Sequence, residues 1–348
     1  MPSDPLNAVL ARVRERAIDT DRSGNWPQAD FEDLATAGAT RWILPTSVGG
    51  LGLSPLEIHL NYERIAGASL SSALILSQRD SAAALLIASD NPTLRDELLP
   101  KFLQPRMFAT IGIAQLTTSR QSGRPALRAT PTQNGYQIDG EIPWSTGADQ
   151  CDFIIAGAAI ETGGQILFAL PTNLPGVQIS PPLRLVALSA THTGPIICNN
   201  VQLDKRWIMR GPVEKAMSGG TKGLTLGQTF LAMGLCRSGL DLIAAHDSDR
   251  ARSALERLDK QLAELRTEIL DLCQPGKEAD AATENARLRG ACNELALRIT
   301  QTAIALYKGT ALLETHPAQR LAREAFFLLV WSCPNPVIDC TVDLLSRE

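Results

Sequence analysis

The chain has 348 residues, 44% of them hydrophobic and 20% charged, a composition that excludes intrinsic disorder and fibrous repeats and supplies apolar mass for two or three cores. A formal charge of −4 with scattered Lys and Arg gives no broad positive field, so no nucleic-acid partner is expected. Seven cysteines, without a C-x-x-C or an adjacent histidine pair, predict reduced thiols in a cytoplasm and no metal centre.

The opening MPSDPLNAVLARVRERAIDTD places acids and arginines where a secretory signal has an unbroken apolar core, so no export is expected. Through residue 105 the apolar positions recur at three and four, as in Leu6, Val9, Leu10 and Val13, and predict helices. PTSVGGLGLS, Pro45 to Ser54, reads as a glycine-rich turn, and Ser54-Pro55 offers a cap and a first-turn proline for the next helix. Asp90-Asn91-Pro92 predicts a second break.

From residue 106 to 207 the texture changes to short β-type runs: ATIGIA, GYQIDG, CDFIIAGA, QILFALP, GVQIS, LRLVALS and PIICNNVQL. These predict a β-domain of about seven strands. From 208 to 348 the pattern is helical again, and Leu255, Leu258, Leu262, Leu265, Ile269 and Leu272 form an apolar seam. Thr229 to Ala245 is the nearest approach to a spanning segment, but Arg237 and Asp241 interrupt it and it falls short of roughly 20 residues, so no integral membrane helix is expected.

The predicted class is therefore α+β: an N-terminal helical domain over 1–105, a middle β-barrel-like domain over 106–207 and a C-terminal helical bundle over 208–348. Neither G-x-G-x-x-G nor G-x-x-x-x-G-K-[ST] occurs, so neither of these nucleotide-binding loops is expected.

Three segments in order resemble the acyl-CoA dehydrogenase superfamily. VGGLGLSPLE, Val48 to Glu57, is close to that family's YGGLGLS turn. GYQIDGEIPWSTGADQCDFIIAGA, Gly135 to Ala158, resembles GYVLNGTKxWITNAxxADxxxVxA, and THPAQRLAREAFFLLVW, Thr315 to Trp331, resembles EYPVERLLRDARxxxIY. The resemblance implies an FAD between β-domain and bundle and an acyl thioester or related small molecule as substrate. It also implies an electron-transfer partner or flavin reductase, and a homo-oligomer built through bundle helices such as the leucine seam.

The resemblance also assigns residues. Trp144 and Thr146 stand where the family's Trp-Ile-Thr meets the flavin. The family's Thr-Glu falls on Ala114 and Gln115, with Thr117 as a further hydroxyl and Arg120 in place of a serine. The R-x-A-F-G loop is reduced to HDSDR, His246 to Arg250, and Q-x-x-G-G becomes Ala305 and Lys308-Gly309, which leaves Arg250, Lys308 and Arg320 as cations for an FAD pyrophosphate.

Both carboxylate positions of the family are empty. Counting from Arg323-Glu324, the usual glutamate falls on Ser332, and the alternative one falls near Gly227 and Gln228. Loss of a general base is worth ~10²–10⁴-fold, so ordinary desaturation is disfavoured. Asp80 is the candidate replacement acid or base, against the plainer reading of an Arg79/Asp80 pair on a helix surface. Cys333, beside Ser332, is a candidate reactive thiol, against a structural one, and Pro334 and Pro336 are expected to interrupt the helix onset there. Nothing pairs His59, His192, His246 or His316 with a nucleophile. The implied function is an FAD-dependent oxidoreductase with altered chemistry, either flavin-dependent monooxygenation or dehydrogenation with a non-standard base. The alternative is a non-catalytic subunit or acyl-group binding protein.

Overall fold

The computed structural model describes residues 4–104, 106–116, 126–217, 226–274 and 281–346. Helices come first: α1 (Pro5–Ser23), α2 (Gln28–Thr36), α3 (Pro55–Ala68), α4 (Leu70–Ile87) and α5 (Pro92–Leu98). Local capping sets their ends, and the start at Ser54-Pro55 and the break at Asn91-Pro92 are where the sequence predicts them. Asp4 accepts from the Leu6 N–H to start α1, and Gly24 ends it at φ 64°, a left-handed conformation that glycine adopts without steric cost. Ser54 and Glu57 form a reciprocal capping box at the start of α3, and Asn91 caps α5.

Eight strands follow: β1 (Ala109–Gly112), β2 (Leu127–Thr132), β3 (Gly135–Ser145), β4 (Phe153–Ile160), β5 (Gln165–Pro171), β6 (Val177–Ile179), β7 (Gly194–Asp204) and β8 (Ile208–Val213). They form one sheet in the order β6-β7-β3-β2-β4-β5-β8, with β1 parallel to β4. The sheet departs from expectation at three places. LRLVALS, Leu183 to Ser189, is not a strand; it follows the Pro181-Pro182 pair and turns at Leu188, whose φ is 60°. LRATPT forms β2 although alternating Arg and Thr hide its pattern, and β8 carries the sheet past residue 207 by pairing with β5.

The last helices are α6 (Gly227–Ala244), α7 (Asp249–Leu272), α8 (Ala281–Tyr307), α9 (Pro317–Leu328) and α10 (Asn335–Leu345). Leu258, Leu262 and Ile269 of the α7 seam are buried within the chain, and Leu255, Leu265 and Leu272 pack against the same core. The seam is thus satisfied by α7's own neighbours. Exposed apolar side chains lie instead on α9, α10 and their link: Phe326, Val330, Val342 and Leu345.

One hydrophobic cluster runs through all three parts, and a second joins α4 and α5 to β1, β4 and β5. Helix α4 serves both, with Leu70, Leu74 and Ile75 in the first cluster and Ala82, Ala83 and Leu86 in the second. Helices α3 and α6 run parallel in close contact. Gly67 and Gly234 form their crossing, where a Cβ on Gly234 would stand 2.3 Å from the Glu63 carbonyl.

Candidate active site

Trp144 and Thr146, expected to meet a flavin, stand at the end of β3. Ile138 and Ile142 point into the core, and a register irregularity between Ile142 and Ser145 breaks that alternation. Trp144 is thereby turned outward, 49% exposed, while Ser145 and Thr146 are buried. The chain then turns at Gly147, at φ 62°, where a Cβ would stand 2.7 Å from the Trp26 ring and 2.8 Å from Phe108, so no side chain fits. The Thr146 hydroxyl is 3.1 Å from that of Thr193, which is 2.8 Å from that of Thr191. Asp149 holds His192 Nδ1 at 2.7 Å on the outer side of this turn.

Gln115 follows β1 at the end away from this turn, which packs on Phe108 just before that strand. Its Nε2 donates to the carbonyls of Gly112 at 2.7 Å and Gly157 at 2.8 Å, while its Oε1 is buried without a partner. A buried acceptor with no donor is costly, and Ser145 Oγ, beside Thr146 on β3, is in the same condition. Thr117 and Arg120 lie outside the described residues.

The expected carboxylate position is closed by an arginine. Ser332 sits at φ 48° in the link between α9 and α10, and Arg289 of α8 donates to its carbonyl at 3.1 Å and to that of Trp331. The same guanidinium lies 3.6 Å from Cys333 Sγ, which donates to the Leu328 carbonyl at 3.4 Å. Burial pushes the Cys333 thiol up, opposed by Arg289. Pro334 and Pro336 do not interrupt a helix. They begin one, with Pro334 at the cap of α10 and Pro336 in its first turn, where a missing N–H costs nothing.

Asp80 is fully buried on α4, so the pair with Arg79 is not a helix-surface pair. Tyr62 donates to one carboxylate oxygen at 2.7 Å and Arg79 to the other at 3.1 Å. Arg79 is fixed in turn by the carbonyls of Thr40 and Phe102. Burial raises the Asp80 carboxyl to about 6, against the pull of Arg79 and Tyr62.

Of the three cations, Arg320 is buried and held by Glu324 at 2.8 Å, whereas Arg250 and Lys308 are exposed. A run of ring contacts joins the segments that carry them: His246 edge-on to Tyr307 at 5.0 Å, then Tyr307 tilted against His316 at 4.6 Å.

One residue stands out that sequence reasoning passed over. His59 of α3 is 1% exposed, its ring stacks on Phe230 of α6 at 5.2 Å, and its Nε2 has no partner. A Cβ on Gly227 would be 3.6 Å from that nitrogen. Burial alone pushes His59 down to about 4, so the imidazole is neutral at physiological pH. The signal in sequence was its spacing with Tyr62 and Ala66, three residues of one buried helical stripe.

Residues 7–105 match the family model for the acyl-CoA dehydrogenase N-terminal domain. A probable acyl-CoA dehydrogenase of Bacillus subtilis is 22% identical over 90% of this chain and 88% of its own length. Among solved structures, butyryl-CoA dehydrogenase from Megasphaera elsdenii superimposes with a TM-score of 0.83 at 18% identity, covering 100% of this chain and 99% of that one. Dibenzothiophene monooxygenase from Paenibacillus superimposes with a TM-score of 0.82 at 16% identity, covering 99% and 96%.

Proposed function

We propose that this chain, which belongs to the acyl-CoA dehydrogenase superfamily, is a flavin-dependent oxidoreductase with altered chemistry acting on an acyl thioester or related small molecule. The observation that carries the reading is Trp144, an indole turned outward by a strand irregularity beside a buried hydroxyl row. Such a surface suits a flat aromatic ligand. The Thr146 hydroxyl beside the indole offers a polar contact that fits an isoalloxazine edge, with Gln115 as the further polar group that the resemblance assigns. A bound flavin supplies hydride acceptance or, once reduced, oxygen chemistry. The side chains must orient the substrate and move its protons.

FAD is proposed from the resemblance, with Arg250 and Lys308 as the cations for its pyrophosphate. FMN is the second reading, favoured because Arg320 is already committed to Glu324. A structure of the similar monooxygenase from Paenibacillus is FMN-bound. Monooxygenation by a reduced flavin is favoured over ordinary desaturation by the same closure of position 332, where Arg289 holds the backbone and no carboxylate is present. An electron-transfer partner or flavin reductase would exchange electrons with the flavin, depending on the direction. A non-catalytic binding subunit is the weaker reading, since a subunit without flavin has no use for Trp144 in this position.

Self-association and a cytoplasmic location complete the proposal. No helix among the described residues is long and apolar enough to cross a membrane. With the α7 seam spent inside the chain, a second copy would cover the apolar side chains of α9 and α10, and sedimentation at micromolar concentration tests it.

The main test is an absorbance spectrum of the purified protein before and after adding FAD or FMN. The flavin bands should remain with the protein through gel filtration. Trp144→Ala should weaken binding roughly 3- to 10-fold without loss of fold, the worth of an aromatic contact on an exposed ring. A chain that stays colourless with both flavins overturns the reading.

A further inference from the structure

We propose that Thr191 and Thr193 fix the polarity of the Thr146 hydroxyl, so that beside Trp144 the protein accepts a hydrogen bond and selects the reduced over the oxidised isoalloxazine. The selection rests on the flavin reading for its ligand, and on the hydroxyl row for its direction.

That direction follows from the number of protons in the row. Each threonine hydroxyl has one proton to give and lone pairs to accept others. Thr191 gives its proton to the Leu188 carbonyl at 2.8 Å, because a carbonyl can only accept. Thr193, whose hydroxyl is 2.8 Å from that of Thr191, must therefore be the donor of this contact. Thr146, 3.1 Å from Thr193, must in turn be the donor of the next. Neither Thr146 nor Thr193 keeps a proton for a ligand, and both keep lone pairs.

The row is anchored at one end and open at the other. Thr191 is fully buried between Leu188 at φ 60° and His192 at φ 48°, left-handed residues that persist only where their surroundings hold them. The Gly147 N–H donates to the carbonyls of Thr191 at 3.0 Å and His192 at 3.2 Å, which ties the anchor to the turn that follows Trp144. Thr193 is half-buried and Thr146 is 7% exposed, so the row approaches the surface at their end.

An oxidised isoalloxazine carries a single N–H, on its pyrimidine ring, and reduction adds an N–H on the middle ring. A hydroxyl that can only accept thus finds more partners on the reduced ring. For Thr146 to give a proton to the oxidised ring, the whole row must reverse and Thr191 must release the Leu188 carbonyl. The loss is that of one neutral hydrogen bond, roughly 3- to 10-fold in affinity.

Binding constants test the selection. The full chain is titrated under nitrogen with FMN and with FAD, each oxidised or reduced by dithionite, and free flavin is measured after ultrafiltration. Wild type should hold the reduced form roughly 3- to 10-fold more tightly, which raises a two-electron potential by about 14–30 mV. Thr191→Val removes the anchor at nearly constant shape and lets Thr193 donate to Thr146 and Thr146 donate outward. It should bind the oxidised form more tightly than wild type does and lose the preference. Thr193→Val, which removes the acceptor of the Thr146 proton, should do the same, and Thr146→Ser should keep the wild-type ratio. Equal constants for both forms in wild type, or valine variants that keep the ratio or weaken both forms alike, overturn the selection and leave the flavin reading in place. A chain that binds neither form overturns both.

Discussion

His59 shows at the residue scale how burial converts into pH dependence. An unburied histidine titrates near 6.5, and this one is brought to about 4, so between those values the unfolded chain binds a proton that the folded chain refuses. The stabilisation is fully present above about pH 6.5 and is lost as the pH falls toward 4, up to about 3 kcal/mol for a shift of this size. Asp80 acts oppositely: burial raises it to about 6, so folding takes up a proton across the acid range. Comparing wild type with His59→Leu cancels the Asp80 contribution. Urea melts at pH 4.5 and 7.5 should show the leucine variant gaining relative stability at the lower pH. A difference that does not change with pH would show that the ring is not buried as described.

Neither residue was fully legible in sequence, and for one reason. Arg79-Asp80 reads as a solvated pair because adjacent charges on a helix usually face water, but α4 is flanked by both hydrophobic clusters and has almost no free side. Its burial is a property of β1, β4 and α6, not of its own neighbours. The exposure of Trp144 and the burial of Thr146 follow from the local turn at Gly147, which lies within the same short motif. The closure of Ser332 was not legible, since it depends on Arg289, more than forty residues away in sequence.

At the scale of elements, the crossing of α3 and α6 is asymmetric in a way that two substitutions can read. A Cβ on Gly234 would meet the Glu63 carbonyl at 2.3 Å and the Ala66 Cβ at 2.6 Å, so the helices must separate. A Cβ on Gly67 would meet only the Gly234 carbonyl, at 3.5 Å, which is ordinary contact. Gly234→Ala should therefore cost about 1–3 kcal/mol by overpacking, whereas Gly67→Ala should be neutral or gain up to ~1 kcal/mol from helix propensity. Melting temperatures that fall equally for both variants would contradict the crossing. The helices themselves were readable from caps and periodicity, and the α7 seam most clearly. What the seam packs against was not, because periodicity gives the face of a helix and not its partner. The same limit hid β2 and β8, whose strand character comes from pairing with β3 and β5 rather than from alternation.

At the scale of the whole molecule, the three parts are bound as one. Arg323 of α9 pairs with Asp21 of α1 and donates at 2.7 Å to the Val186 carbonyl of the β-domain, so a single guanidinium bridges all three. Arg266 of α7 reaches Glu63 of α3 at 3.1 Å, and the largest cluster of apolar residues crosses the same boundaries. Separating one part would expose apolar surface on the other two, which favours a single unfolding event. The tryptophans report on this directly: Trp26 and Trp42 belong to the N-terminal part, Trp144 and Trp207 to the sheet and its border, and Trp331 to the bundle. Fluorescence and far-ultraviolet circular dichroism should give the same urea midpoint. Flavin at 100 times its dissociation constant should then raise stability by about 2.7 kcal/mol, moving both signals together because ligand binding acts on the folded state as a unit. Midpoints that separate, or a flavin-induced rise confined to the fluorescence of one part, would mean that the β-domain and the bundle unfold independently and that Arg323 does not join them.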